Sequence, residues 1–181
     1  MTHRIIIAGE GGQGIMLLGK VIAEAAMAEG RSVTYLPAYG AEVRGGTANC
    51  MVIVSDTEIG SPLAQEADSL IIMNEPSLVR FAGRLSKKGT AFINSSLVSD
   101  RAPVKAAERF PFTDIAIGLG NQKCANMVAL GCFCARTELI GLKTVMRIME
   151  ENTPAQKQAL AVLNKKALEA GARLCRQERH S

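Results

Sequence analysis

The chain has 181 residues, 48% of them hydrophobic and 21% charged, which is enough to bury one α/β core and is ordinary globular composition. Its formal net charge of +4 is mild and its Lys and Arg are scattered, so no basic tract points to nucleic acid. Aromatic residues make up only 4% and Trp is absent, so the core must rest on Ile, Val, Leu, Met and Ala.

Arg4 to Ala8 reads as a first strand, and it runs into a glycine-rich turn within Ile5–Ile15, IIIAGEGGQGI. Gly9, Gly11 and Gly14 fit G-x-G-x-x-G, with Gly12 in addition. In such a turn Gly9 would let the chain leave the strand sharply. Gly11 and Gly12 would let backbone N–H groups approach a ligand, and Gly14 would let the next helix lie close to the sheet. A helix is predicted from about Gln13 to Glu29, with apolar positions at Ile15, Leu18, Val21, Ile22 and Ala25, and its N-terminal dipole would favour an anion. The same turn also suits tight packing with no ligand.

A second strand spans Ser32–Leu36 and ends at Pro37. Residues 38–49, AYGAEVRGGTAN, lack periodicity and read as a long functional loop before a strand from Cys50 to Ser55. Ser69–Met73 reads as a buried parallel strand, with a helix from Pro76 to about Leu85 and a strand over Thr90–Asn94. Arg101–Phe112 has no clear pattern, and a short strand is expected near Asp114–Ile117. Helices are predicted over Ala125–Thr137, Leu142–Glu151 and Ala155–Gly171, with a frayed tail over 173–181. The expected fold class is a single α/β domain, residues 1–181, built on a mostly parallel, doubly wound, Rossmann-like sheet with helices on both faces.

Ligands of such sheets bind outside the C-terminal strand ends. The glycine turn, the Tyr39–Asn49 loop, Asn74-Glu75, Asn94-Ser95-Ser96 and Gly118–Asn121 all fall there. A dinucleotide site also needs an acid at the end of the second strand, and Tyr35-Leu36-Pro37 has none, which disfavours NAD. A P-loop is excluded because no G-K-[ST] follows the glycines. His3 and His180 lie near the termini and form no Ser–His–acid set. Glu42 and Arg44 are either a loop-anchoring ion pair or a site where Arg44 meets a phosphate or carboxylate, with Gly45-Gly46 allowing close backbone approach. Five cysteines (50, 124, 132, 134, 175) include no C-x-x-C, which argues against a disulfide framework and against a four-cysteine metal or cluster site. The N-terminus does not read as a secretory signal and no stretch reaches a membrane span, so a cytoplasmic location is expected.

GEGGQGI at 9–15, YGAEVRGGTANC at 39–50, VSDTEIGSP at 54–62, MNEPSL at 73–78, Asn94-Ser95-Ser96 and NMVALG at 126–131 resemble, in order, the gamma subunit of 2-oxoacid:ferredoxin oxidoreductases. The free-standing short subunit is most similar to those of enzymes acting on 2-oxoglutarate, branched-chain 2-oxoacids or pyruvate, with 2-oxoglutarate favoured. The resemblance implies a complex that converts a 2-oxoacid, coenzyme A and oxidised ferredoxin into acyl-CoA, carbon dioxide and reduced ferredoxin. Alpha and beta partners would carry thiamine diphosphate and Mg. Iron–sulfur clusters would sit on beta or on a ferredoxin-like delta subunit. This chain would carry no catalytic residue and no metal, and would be inactive alone. Gly9, Gly11, Gly12, Gln13, Gly14, Tyr39, Glu42, Arg44, Gly45, Gly46 and Asn49 would help enclose coenzyme A. Two other readings stay open: a purely structural subunit, and a stand-alone dinucleotide-binding protein.

Overall fold

A computed structural model describes residues 1–38, 47–100, 104, 106–154, 156 and 158–177. Tyr39, Glu42, Arg44, Gly45 and Gly46, named above as site residues, lie outside the described residues.

Among the described residues six strands form one sheet: β1 (Thr2–Glu10), β2 (Ser32–Ala38), β3 (Thr47–Ser55), β4 (Ala67–Ile72), β5 (Leu85–Asn94) and β6 (Ala107–Phe110). The helices are α1 (Ile15–Ala28), α2 (Glu75–Phe81), α3 (Phe112–Gly118), α4 (Ala125–Thr137), α5 (Leu142–Glu151) and α6 (Gln158–Gln177). Short 3-10 turns at Ala82–Arg84 and Gln122–Cys124 precede β5 and α4. The strand order is β2-β3-β1-β4-β5-β6. β1, β4, β5 and β6 are parallel neighbours, whereas β3 runs antiparallel between β1 and β2. The sheet is thus mostly parallel, as expected, with one reversed strand.

Two cores follow from the pleat, because alternate residues of one strand face opposite sides. Ile5 and Ile7 of β1, Cys50, Val52 and Val54 of β3, and Phe92 of β5 face α1, α3, α4, α5 and α6. Ile6, Ala8, Leu70, Ile72, Ala91 and Ile93 face α2, where Leu78 and Phe81 cover them. The helices therefore flank both faces, with the load uneven. Residues 125–134 of α4 are all buried, wedged between the sheet, α3 and α6. Gly131 and Gly171 allow this. A β-carbon on Gly131 would lie 2.8 Å from the Leu168 carbonyl carbon, and one on Gly171 would lie 2.8 Å from that of Val128, so α4 and α6 meet backbone to backbone.

Several boundaries depart from the sequence expectations. Pro37 does not end the second strand, since it pairs with Cys50 inside β2. β2 is the outermost strand, where a missing N–H is tolerated. The expected strand at Asp114–Ile117 is α3, because Phe112, Thr113 and Ala116 bury one helical face and Asp114 sits favourably in the first turn. The strand is instead β6, inside the segment that showed no pattern. β5 begins at Leu85 and α6 continues to Gln177, so residues 173–177 of the expected tail are helical.

Candidate functional site

The glycine turn leaves β1 at Glu10 and enters α1 at Ile15. The Gln13 N–H donates to the Glu10 carbonyl at 3.1 Å. The Gln13 side chain then folds back, and its Oε1 accepts from the Glu10 N–H at 2.7 Å. Two hydrogen bonds between the same pair of residues fix the turn. Gly12 at φ +95° and Gly14 at φ +71° occupy the left-handed region that other residues rarely adopt.

The individual glycines take different tasks from those expected. Gly9 lies in extended β1, and a β-carbon there would come within 2.5 Å of Gln13 Oε1 and 2.9 Å of Met73 Cβ. It makes room for the folded-back amide rather than a sharp turn. Gly14 admits Asn126 of α4, not the sheet: Asn126 Nδ2 donates to the Gly14 carbonyl at 3.2 Å. The close approach of α1 to the sheet falls at Gly19, against Cys50 and Tyr35. Gly11 and Gly12 have open space where a β-carbon would point, and both are exposed. α1 starts with no side-chain cap and no acidic residue in its first turn. The exposed backbone at 11–12 and the helix start are therefore the part of this turn open to an anion.

Asn49 is not a loop residue. It lies within β3, buried at 5% exposure, opposite Ala8 on one side and Ala38 on the other. Thr47, at the start of the same strand, pairs with Glu10. Its Oγ1 accepts from Nη1 of Arg80 on α2 at 2.6 Å. The structure thus brings Gly9–Gly14 and Asn49 to one end of the sheet and adds Thr47, Arg80 and Asn126. Asn126 falls in the NMVALG stretch that carries the resemblance. Arg80 had no signal in the sequence, since only the path of α2 puts it there.

The other polar strand ends serve the fold. Asn74 caps α2 by accepting from Ser77 N–H at 3.2 Å, and Glu75 accepts from the Ser99 N–H at 2.7 Å. Asn94 is fully buried. Its Nδ2 donates to Thr113 Oγ1 at 2.8 Å and to the Met73 carbonyl at 3.2 Å, while its Oδ1 accepts from the Thr113 N–H at 3.3 Å. It ties β4, β5 and α3 together. Asn121 accepts from the Lys123 N–H at 3.0 Å at the entry to α4.

All five cysteines are buried thiols. Burial pushes Cys50 and Cys134 up to about 12 and raises Cys124. Among the described residues no group of three or more His, Cys, Asp or Glu is placed to hold a metal, and no helix is long and apolar enough to cross a membrane. His3 hydrogen-bonds with Ser69 Oγ at 2.9 Å, and its pKa is lowered by burial against the opposing pull of Asp68. It lies at the far end of β1 from the glycine turn.

A family model described as pyruvate ferredoxin/flavodoxin oxidoreductase matches residues 4–174. The chain belongs to this family. Ketoisovalerate oxidoreductase subunit VorA of Methanothermobacter thermautotrophicus is 38% identical over 96% of the chain, which spans only 36% of VorA's length. 2-Oxoglutarate synthase subunit KorC of Archaeoglobus fulgidus is 35% identical, with 83% of this chain and 82% of KorC covered. The crystal structure of the gamma subunit of a keto/oxoacid ferredoxin oxidoreductase from Geobacter sulfurreducens matches with a TM-score of 0.83 at 28% identity, covering 96% of this chain and 98% of that one. A 2-oxoglutarate:ferredoxin oxidoreductase from Magnetococcus marinus, solved with 2-oxoglutarate, coenzyme A and succinyl-CoA bound, shares the fold at a TM-score of 0.88 and 22% identity. This chain aligns over 97% of its length with 31% of that chain. The family read from the sequence motifs is therefore the family found.

Proposed function

We propose that the chain is the gamma subunit of a 2-oxoacid:ferredoxin oxidoreductase, supporting the catalytic core and helping to hold coenzyme A. The observation that carries this reading is the glycine turn: braced by Gln13 and Asn126, it leaves the Gly11–Gly12 backbone open beside an uncapped helix start. Fixed N–H dipoles there suit a phosphate and cost no reorganisation on binding. The chain supplies orientation, not electrons. Its described donor set does not fit a metal or an iron–sulfur cluster, since the thiols are buried and no three ligands converge. Thiamine diphosphate, Mg and the clusters belong in this reading to alpha, beta and ferredoxin-like delta partners, and ferredoxin meets the assembled complex. The complex works in the cytoplasm.

The substrate favoured is 2-oxoglutarate. Its support is the 35% identity to KorC of Archaeoglobus fulgidus, a 2-oxoglutarate synthase subunit, over 83% of this chain and 82% of KorC. The dinucleotide reading loses support from the sheet order, because β3 separates β1 from β2, whose end carries Leu36-Pro37 and no acid. A purely structural subunit gains from Gln13, Asn74 and Asn94 spending their amides inside the chain. Replacing Arg44 with Ala in the assembled enzyme separates the two. A rise of about tenfold in the KM for coenzyme A, at intact assembly, is expected for a lost charged hydrogen bond. Weakened assembly, with an unchanged KM in the enzyme that does form, is the outcome expected of a structural role instead.

A further inference from the structure

Arg80 is an exposed residue held at the same end of the sheet as the glycine turn. It belongs to α2, which lies along β1 and β4 on the sheet face opposite α1. Its Nη1 donates to Thr47 Oγ1 at 2.6 Å, and Thr47 is the strand partner of Glu10, the residue immediately before Gly11. The guanidinium is therefore anchored one strand away from the open backbone of Gly11 and Gly12. The Phe81 ring lies 5.4 Å from the Arg80 guanidinium carbon, which further restrains it.

What Arg80 lacks is a counter-charge. Arg4, Arg31, Arg109, Arg136 and Arg147 each have a carboxylate within 4 Å, and Arg84 donates to the carbonyls of Ala64 and Gln65; Arg173 and Arg176 on α6 share the lack of an ion pair among the described residues but lie away from the glycine turn. Among the described residues no carboxylate lies within ion-pair distance of Arg80, and its one polar partner there is a neutral hydroxyl. The exposed Glu10 on the neighbouring strand makes no ion pair with it. A guanidinium has five donors in a planar fork, so most of that capacity is left for an incoming anion. Its position at the C-terminal end of β1 is the side on which open α/β sheets take ligands.

We propose that Arg80, held on Thr47, is a further anion-binding residue of this rim and takes a phosphate of the ligand whose backbone contacts are made at Gly11 and Gly12. This rests on the coenzyme A reading given above and adds a residue from the opposite face of the sheet. The Thr47 hydroxyl is a positioning group: it aims the guanidinium and touches no ligand.

The test is steady-state kinetics of the assembled complex with R80A, R80K, R80Q and T47V, using coenzyme A and, separately, pantetheine, which has no phosphate. R80A is expected to raise the KM for coenzyme A at least tenfold. It should leave the KM for the 2-oxoacid and the kcat/KM for pantetheine unchanged. R80K should recover part of the loss, and T47V should give a rise of two- to fivefold. Equal losses with coenzyme A and pantetheine, or no change with either, overturn the assignment. Loss of assembly in both R80A and R80Q also overturns it, by making Arg80 a partner contact. The two readings fail separately. If R44A raises the KM for coenzyme A and R80A does not, only the Arg80 assignment falls; if neither does, the coenzyme A reading falls with it.

Discussion

Replacing Gly171 with Ala tests the packing on which the larger core depends. A β-carbon there would lie 2.8 Å from the carbonyl carbon of Val128 and 3.0 Å from the backbone nitrogen of Cys132, closer still to the Val128 oxygen. Ordinary contact begins near 3.4 Å, and relieving the nearest atom, the Val128 oxygen, requires α4 and α6 to part by more than about 1 Å. The obstacle is backbone on a rigid helix, and no rotamer change relieves it. Because residues 125–134 are buried on every side, the movement disturbs contacts with the sheet and α3 as well. Overpacking of this kind costs roughly 1–3 kcal/mol and occasionally more. Ala regains about 1 kcal/mol over Gly within a helix. With the first term at or above its upper end, the net loss is about 2–3 kcal/mol, or a fall in Tm of roughly 5–10 °C for a chain of this size. Thermal unfolding followed by circular dichroism reads it directly. G118A is the control: Gly118 ends α3 with open space beside it, so the change should not lower Tm and can raise it by up to roughly 2–4 °C. G131A meets Leu168 across the same contact and should lose a similar amount. Once the helices have parted for one methyl, the second costs less, so the double variant should fall short of the sum. A G171A protein as stable as its parent, or strict additivity, would refute the backbone-to-backbone account.

Two further measurements probe buried groups. Cys50 and Cys134, pushed up to about 12, should resist iodoacetamide at pH 8 in the folded protein and react in denaturant, as read by mass spectrometry; fast labelling of either in the native state contradicts their burial. His3 has a folded pKa below its ordinary 6.5, so folding disfavours its charged form. Its contribution is fully present above pH 6.5 and is lost as the pH falls from there through the lower folded value. Urea titrations between pH 7 and 5 should show this loss, and H3Q should flatten it while keeping a partner for Ser69; an identical slope in H3Q would remove His3 from the account.

The sequence was most readable where one physical signal dominated. α4 and α5 occupy the predicted Ala125–Thr137 and Leu142–Glu151, because long apolar periodicity and the break at Gly141 leave little choice. The glycine turn was visible too, but the tasks of its residues were not. Gly9 and Gly14 answer to Gln13, Met73 and Asn126, and the last two are distant in sequence and arrive only through the fold. Asn74, Asn94 and Asn121 stood at strand ends, where ligand groups also stand, and a side-chain amide gives no sign in sequence of whether it will meet a ligand or a neighbouring N–H. Asp114–Ile117 misled through its β-branched isoleucines, which tertiary burial of Phe112 and Ala116 overrode. The reversal of β3 left no local mark, since strand direction depends on how the connecting residues return.

Pro37 has a consequence beyond the boundary it blurred. β2 is the last strand in the sheet order, and an outer strand offers its unused backbone groups to any extended chain nearby. Pro37 contributes no donor, so strand-on-strand growth meets a gap near the end of β2 that lies at the same end of the sheet as the glycine turn. Pro37 therefore works against fibre-like association of copies of this chain through the β2 edge.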